Sequence, residues 1–430
     1  MPGTIHSSSF IRVLPMFLLA TLAFSGCSQS SGRSATYAPA PSVIRGDGEL
    51  SIGWVQAGLG YEVWYGQTNN IAAARRWNGT INRSGIVAGT TITGLANGTA
   101  YYVWIKLQDG RVGMGTSGIP HAPPVKDDTH EGFVFVPGGT VIGSAAYAIT
   151  VTVPNDPAFN FPGRTSTVPG VFVEGRTVPI EPFFMAKHEV TIGLWHEVKT
   201  AMGDQFTFRP LPQPQPPNPP IARPTPQNGN EALPMTFVCW KNAIIWSNAY
   251  SRMKGLQPVY FTSRTSGIEL TNYNEIDLNT IYMNRSRNGF RLPTEVEREF
   301  AARGGDPGTA AWMLTFAGSN TADNVAWHNS IPPRRQLRNV GAKSENRLGI
   351  HDLSGNVQEW GWGWMNWNTP VTATTPVDGE PHGPGFRQKP MAGGGVGSNL
   401  TMSAVAYRWG SSPASFFDVV GFRVVRRAAP

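Results

Sequence analysis

The chain has 430 residues and a formal net charge of +7, and only 15% of its residues are charged. Its lysines and arginines are spread along the chain without a long basic run, which argues against nucleic-acid binding because that function needs a concentrated basic patch. The length allows two or three domains, and 49 glycines, 36 prolines and 14 tryptophans predict loop-rich segments held by aromatic anchors.

The N-terminus predicts an export signal. Arg12 supplies a positive charge, and Val13 to Phe24 is an apolar run that is too short to span a bilayer. The run ends in Phe24-Ser25-Gly26-Cys27, which resembles the bacterial lipobox, where a signal peptidase cleaves and the cysteine receives a lipid. We expect a signal peptide over residues 1–26, a lipid on Cys27 and a flexible tether over 27–41. The alternative is an ordinary secretory signal with an unmodified cysteine.

Residues 42–120 carry the pattern of a small β-domain. Leu50 to Trp54 and Tyr61 to Tyr65 alternate apolar and polar residues, with turn residues between the two runs. Further on, the spacing of Leu95, Thr99 and Tyr101 resembles the tyrosine corner of fibronectin type III modules, in which the tyrosine hydroxyl bonds back to the backbone. The resemblance implies an all-β sandwich, and a polar linker follows at 121–131.

A second domain is predicted over residues 132–430. Thr191 to Met202 has apolar residues at helical spacing, Trp240 to Lys254 predicts a second helix, and Thr294 with Glu297 forms a capping box that opens a third. Residues 206–230 are too proline-rich for a regular helix or a central strand and predict a surface excursion. Cys239 is predicted to be a small buried apolar residue.

Five ordered blocks of the second domain carry a resemblance to a known family. They cover residues 182–191, 233–240 with 255–260, 288–305, 349–360 and 421–423, and the most specific reads NGFRLPTEVEREFAARGG from residue 288. Together they resemble the formylglycine-generating-enzyme-like family, also called the sulfatase-modifying-factor domain. The resemblance implies an α+β, C-type-lectin-like fold with little regular secondary structure.

The resemblance also indicates which chemistry is missing. The oxidase branch of the family binds copper through two cysteines, and the corresponding positions here fall near Gly395 and Leu400. The sulfoxide-synthase branch uses an iron site of closely spaced histidines and acidic residues, whereas the eight histidines here are scattered. We therefore expect neither copper nor iron, and no enzymatic activity. An enzyme of the family with an unrecognised site stays an alternative.

Calcium is the cofactor that the resemblance leaves open. In enzymatic relatives a loop before the Trp-rich strand binds it. The matching loop here offers the carboxylates of Asp352 and Glu359 and the carbonyls of Gly355 and Val357, an all-oxygen set that suits this cation. The alternative, of equal weight, is that the two carboxylates only accept backbone N–H bonds and pin the loop.

The C-terminal region 393–425 resembles the variable region of proteins that diversity-generating retroelements randomise, a non-catalytic branch that includes a treponemal surface lipoprotein. It lies between Gly393-Gly394 and Gly421-Phe422-Arg423 and carries almost no formal charge. In that branch the tract displays ligand-contacting side chains on a rigid frame. The candidate ligand-binding residues are Gly397, Ser398, Gly410, Ser411, Ser412, Ala414, Ser415, Phe416, Phe417, Asp418 and Val419.

Within the tract, Phe416-Phe417-Asp418 predicts a recognition patch of rigid aromatic area with one orienting charge. The alternative for Phe417 is that its ring packs inward. Trp409 is expected to belong to the fixed frame. The alternating Trp360, Trp362 and Trp364 predict a strand with one buried face.

The function that these observations predict is a non-catalytic lipoprotein that binds a protein or glycan through its C-terminal tract. Ser28 after Cys27 lacks the aspartate of inner-membrane retention, which favours a lipid anchor in the outer membrane, at the cell surface. The β-domain would then be a stalk and the lectin-like domain a head. A structural role in an envelope complex is the other alternative.

Overall fold

The described residues of the N-terminal region form eight strands, and the side chains of the third, Tyr61–Gly66, alternate between buried and half-buried. The computed structural model describes residues 38–56, 60–122, 131–154, 163–210, 229–366, 369–377 and 388–428, so the predicted signal, Cys27 and most of the tether and linker lie outside the described residues. The strands are β1 Ser42–Gly46, β2 Glu49–Val55, β3 Tyr61–Gly66, β4 Arg75–Arg76, β5 Asn82–Ser84, β6 Val87–Ile92, β7 Tyr101–Leu107 and β8 Thr116–Gly118.

These strands form two layers around one apolar core. Strands β1, β2, β6 and β5 are neighbours in one sheet, and β4, β3, β7 and β8 form the other. Trp54, Val103 and Ile105 are buried between the layers. The hydrogen bond predicted for Tyr101 is present, because its hydroxyl accepts the Ala96 N–H at 3.1 Å.

The remaining residues form mixed sheets with few helices, an α+β arrangement. The helices are α1 Ile192–Met202, α2 Trp240–Met253, α3 Glu295–Ala302 and α4 Ala322–Val325. The strands are β9 Phe133–Val136, β10 Gly139–Ile142, β11 Ile149–Val153, β12 Arg164–Val168, β13 Thr177–Ile180, β14 Phe183–Ala186, β15 Tyr260–Phe261, β16 Tyr282–Met283, β17 Phe290–Arg291, β18 Gln358–Trp360, β19 Lys389–Ala392, β20 Trp409–Ser411, β21 Val420–Phe422 and β22 Val425–Arg427. In the part of the chain that the structure describes, none of the helices has the length and apolarity that a membrane span requires.

One sheet continues from the N-terminal region into the second. Strand β1 pairs antiparallel with β10, with Val43 opposite Thr140, and β10 pairs with β13. The resulting order is β13-β10-β1-β2-β6-β5. A Cβ on Gly53 or Gly89 would collide with the backbone of Gly308, so both glycines permit a second close contact between the regions. The strands before and after the predicted linker at 121–131 therefore share one sheet.

Local sequence signals account for the starts of the helices. The Thr294 side chain accepts the Glu297 N–H and the Glu297 side chain accepts the Thr294 N–H, which is the predicted capping box at α3. Thr191 caps α1 through the Leu194 N–H. Helix α1 buries Trp195, whose ring stacks on Trp246 of α2 at 5.9 Å between centroids. The two helices thereby build the core against which the C-terminal strands pack.

The C-terminal strands lie in the middle of this core. Strand β18 pairs antiparallel with β19 and parallel with β21, in the order β20-β19-β18-β21. Trp360 is the last residue of β18, and all three residues of this strand are buried. Trp362 is 3% exposed but lies beyond the strand, so the predicted strand through the three tryptophans ends at the first of them. Trp364 is half-buried, and the Lys389 ammonium lies 3.4 Å from its ring centroid.

Candidate functional site

The first half of the C-terminal tract is built into the protein. The Oγ of Ser398 accepts the Gly395 N–H at 3.0 Å, and Ser398 is 5% exposed. Gly410 is buried in β20, where an added Cβ would lie 2.6 Å from the Met365 sulfur. Of the predicted ligand-binding residues, Ser398 and Gly410 are therefore frame rather than surface. Gly397 is half-exposed and lies beside the Arg335 guanidinium.

The second half, residues 411–419, consists of Ser411 at the end of β20 and the irregular segment that leads from it to β21, and we call it the display loop. It contains the rest of the predicted set, with Ser412 exposed and the other side chains half-buried except that of Pro413, which is buried. Trp409, which was predicted to belong to the frame, is the first residue of β20 and is 38% exposed. The structure thus leaves most of Ser411 to Val419 partly exposed and buries Ser398, whose neighbour Gly397 lies beside Val419.

Backbone bonds hold the display loop against helix α2. The Phe417 carbonyl accepts the Phe237 N–H at 2.9 Å, and the Pro413 carbonyl accepts the Lys241 N–H at 3.4 Å. The Phe417 ring packs on the core beside Trp360, with 6.4 Å between centroids, which is the inward packing kept as an alternative. Because these bonds use carbonyls, the loop can keep its path when its side chains change.

Two cationic side chains that the sequence did not indicate lie beside the display loop. Arg209 is exposed, donates from Nη1 to the Ala414 carbonyl at 3.1 Å and lies 5.0 Å above the Phe416 ring. Lys241, at the start of α2, lies 5.0 Å above the Tyr273 ring. Both come from segments far from the tract in sequence, so only the fold brings them there.

Asp418, the predicted orienting charge, already has a partner. Its Oδ2 accepts a hydrogen bond from Arg335 Nη2 at 2.7 Å, and the Asp418 side chain is 26% exposed. A surface ion pair of this kind contributes little to stability. It instead fixes the direction of the Asp418 carboxylate at the C-terminal end of the display loop.

The two carboxylates predicted to bind calcium both have protein partners in the structure. Both carboxylate oxygens of Glu359 accept hydrogen bonds from Arg423, the shortest at 2.6 Å, and both side chains are fully buried. Asp352 Oδ2 accepts the Gly341 N–H at 2.7 Å, as the alternative required. A guanidinium therefore occupies the carboxylate that calcium would need. Among the described residues there is no group of three or more His, Cys, Asp or Glu that could hold a metal ion.

A buried acid that the sequence did not reveal lies at the same loop. Glu189 accepts the Val357 N–H at 3.1 Å and the Asn356 side-chain amide at 2.8 Å. Burial, followed by the charges of Asp352 and Glu359, raises the pKa of Glu189 well above its ordinary value. Burial likewise raises the pKa of Asp352. Glu189 thus positions the backbone of Val357, one of the four predicted ligands, through hydrogen bonds.

Cys239 is buried as predicted, and burial raises the pKa of its thiol to about 11. The thiolate is the nucleophilic and metal-binding form, and a thiol with this pKa is protonated at neutral pH. The His188 ring stacks on the His351 ring at 5.1 Å between centroids. Burial lowers the pKa of His188 to about 4, with a smaller contribution from His351.

Comparison with known proteins places these features in context. A family model described as the sulfatase-modifying factor enzyme 1-like domain matches residues 120–428. The chain is 30% identical over 268 residues to chaperone protein LppX of Paenibacillus barcinonensis, covering 58% of this chain and 82% of that relative. It is 31% identical over 160 residues to the formylglycine-generating enzyme of Streptomyces coelicolor, covering 33% of this chain and 48% of the enzyme.

Among solved structures, variable protein 1 of Treponema denticola is 26% identical with a TM-score of 0.46. The similarity covers 68% of this chain and 96% of that protein.

Proposed function

This chain belongs to the sulfatase-modifying factor enzyme 1-like family, and on that premise we propose that it is a non-catalytic binding protein whose ligand contacts the display loop. The observation that carries the proposal is the position of the loop. The loop leads from β20 into the buried strand β21, its backbone is tied to α2 through Lys241, and its side chains other than that of Pro413 are exposed or half-buried, although the Phe417 ring packs on the core. A fixed backbone with adaptable side chains is the arrangement that binding loops use.

The cysteine content supports a non-catalytic role. Copper-dependent members of the family need two cysteines, and residues 132–430 contain one, Cys239. Burial raises the pKa of its thiol to about 11, so Cys239 is a protonated thiol rather than a nucleophilic thiolate at neutral pH. The names of the relatives do not decide this point, because the family contains active enzymes. The proposal would fall if the purified full chain consumed oxygen in the presence of a cysteine-containing substrate peptide.

The anchor and the two folds form the finer part of the proposal. We infer a lipid on Cys27 that holds the protein at the outer membrane and cell surface, a fibronectin type III-like N-terminal sandwich and a C-type-lectin-like second region. The layer order and the Tyr101 bond support the sandwich. For the anchor, Cys27→Ser should abolish incorporation of labelled palmitate and release the protein from membranes. Retention of label in Cys27→Ser would refute the anchor.

The tract resembles a diversified region, so we further infer that residues within 393–425 differ between sister genomes. A near-copy of the DNA that encodes this region, richer in adenine and beside a reverse-transcriptase gene, would support this inference. Its absence would leave a binding protein with a fixed ligand.

A second candidate function is assistance to another exported protein. The observation that favours it is the similarity to a relative named as a chaperone, which extends over 82% of that relative. In this role the ligand of the display loop would be one fixed exported protein. Deletion of the gene would then reduce the yield of one active exported protein, whereas the loss of a surface receptor would not.

The direct test replaces the display loop. The full chain and a variant with residues 411–419 changed to Ser and Gly are immobilised and exposed to envelope proteins, and retained proteins are identified by mass spectrometry and bound again in purified form. The matched control replaces residues 263–268, another largely exposed loop. We expect the partner to be lost only with the display-loop variant. Equal recovery by all three proteins would refute the loop as the site.

A further inference from the structure

The two cations beside the display loop are held in place by the frame. The buried Asn242 side chain accepts the Arg209 N–H at 2.9 Å and donates to the Arg209 carbonyl at 3.0 Å, which fixes the backbone of Arg209 against α2. Arg209 Nη1 donates to the Tyr273 hydroxyl at 3.2 Å and to the Ala414 carbonyl. Lys241 donates to the Ile276 carbonyl at 3.4 Å. The positions of both charges are therefore set before any ligand arrives.

Among the described residues, the hydrogen-bond partners of both cations leave some donor groups unused. The Arg209 guanidinium bonds to described residues through Nη1, and its Nε–H and Nη2 groups, which form the edge that pairs with both oxygens of a carboxylate, bond to none of them. Lys241 uses one of its three ammonium donors. Among the residues that the structure describes, no carboxylate lies within ion-pair distance of either cation. The proline-rich residues 211–228 contain one arginine and no acidic residue.

The two charges repel each other across this surface. Burial lowers the pKa of Lys241, the Arg209 charge lowers it further, and Cys239 and Asp277 act in the opposite direction. Lys241 is half-buried, its ammonium lies over the Tyr273 ring and its backbone N–H bonds to the Pro413 carbonyl of the display loop. An anion bound between the two cations would relieve this repulsion.

We propose that Arg209 and Lys241 bind a carboxylate of the ligand and that the ligand is a protein with an exposed Asp or Glu side chain. This inference rests on the proposed function, because the display loop supplies the rest of the contact surface. A protein carboxylate fits better than a sulfated glycan for two reasons. The Phe416 and Tyr273 rings are covered by Arg209 and Lys241, so no sugar can stack on those faces. A glycan polyanion also requires a longer row of cations.

The probe is a fluorescein-labelled decaglutamate peptide, with a decaglutamine peptide and dextran sulfate as comparisons. Binding to the full chain is measured by anisotropy at about 20 mM salt, where screening over the distance between the two cations is weak. We expect Arg209→Gln with Lys241→Gln to weaken decaglutamate binding at least about tenfold, because two charge-assisted contacts are lost. Arg209→Lys should show an intermediate loss, because it keeps the charge but not the two-pronged edge.

The matched control is Lys254→Gln with Arg264→Gln, which removes the same net charge. Lys254 lies 5.9 Å above the Tyr250 ring at the other end of α2, about 20 Å from Lys241 at the rise of an α-helix, and Arg264 lies 4.5 Å above the Tyr282 ring. We expect this control to retain native binding. An equal loss in both pairs would overturn the proposal, because net charge alone would then explain the binding. Binding of dextran sulfate but not decaglutamate would overturn the protein carboxylate.

Failure of this inference can be told from failure of the proposed function. If replacement of residues 411–419 removes the captured partner while Arg209→Gln with Lys241→Gln retains it, the display loop stands and the carboxylate site falls. If the double variant loses the partner while the loop replacement keeps it, the carboxylate site stands and the display loop falls. Thermal unfolding of each variant checks that the fold is retained.

Discussion

Replacing Glu359 by Gln tests the ion pair that occupies the predicted calcium loop. Glu359 receives three hydrogen bonds from Arg423, at 2.9, 2.9 and 2.6 Å, and Arg298 Nε lies 3.6 Å from its Oε2. One carboxylate therefore compensates two guanidinium groups that are almost fully buried. Gln keeps the shape of the side chain and removes its charge, so both buried cations would lose the carboxylate that they share.

The expected loss of stability is large. Breaking a buried ion pair from one side costs about 3–5 kcal/mol, and the second cation favours the upper end of that range. Arg423 keeps three carbonyl acceptors, those of Ala186, Lys187 and His351, which limit the loss. Because the folding free energy of a whole domain is about 5–15 kcal/mol, the variant should be measurable but markedly weakened.

The assay is urea unfolding of the full chain followed by tryptophan fluorescence. Glu345→Gln is the matched control, because it makes the same substitution at a carboxylate whose side chain is 59% exposed and should change stability by less than about 0.5 kcal/mol. A loss below about 1 kcal/mol for Glu359→Gln would refute the reasoning. Calcium gives a second readout. A cation at 100 times its Kd would add about 2.7 kcal/mol, and the geometry predicts no such gain that depends on Glu359.

Three further predictions follow from other contacts. The pKa of His188 is lowered from its ordinary value near 6.5 to about 4 in the folded chain. Below about pH 6.5 the unfolded chain therefore binds a proton at His188 that the folded chain does not bind until about pH 4, so the free energy of unfolding should fall as the pH is lowered from about 6.5 to about 4. Thermal melts over this pH range should show a smaller fall for His188→Gln. Cys239 is fully buried with a raised pKa, so iodoacetamide at pH 8 should label it only after unfolding, and rapid labelling of folded protein would contradict this. Phe417→Ala should cost about 2 kcal/mol in urea unfolding because its ring packs on the core, whereas an equal cost for Phe416→Ala would contradict the inward assignment.

Local patterns predicted the helices well because their signals are local. Helix α1 begins one residue after the predicted Thr191, and α2 ends one residue before the predicted Lys254. The shared sheet could not be predicted in this way. Val43 pairs with Thr140 across nearly a hundred residues, and periodicity within β1 does not indicate which strand lies at its free edge.

The candidate site was predictable only in part for the same reason. Its surface loop was visible as a low-charge stretch between two glycine-marked ends. The sequence did not show which residues of the tract are buried, because Gly410 packs against Met365, a residue on another segment. The cations beside the loop and the Arg423 partner of Glu359 are also long-range contacts. Resemblance instead suggested a calcium ligand at Glu359, and the fold places a guanidinium there.

The separation between frame and loop explains how binding can change while the fold is kept. An added Cβ at Gly421 would lie 2.5 Å from the Met235 carbonyl, so the backbone leaves no room for a side chain there, and one at Gly410 would lie 2.6 Å from the Met365 sulfur, so that side chain would have to move. Between them the loop is held through the carbonyls of Pro413, Ala414 and Phe417, which every residue provides. A substitution at an outward-facing position therefore leaves these bonds in place and costs little stability. Selection for a new ligand can act on such positions without a penalty in folding.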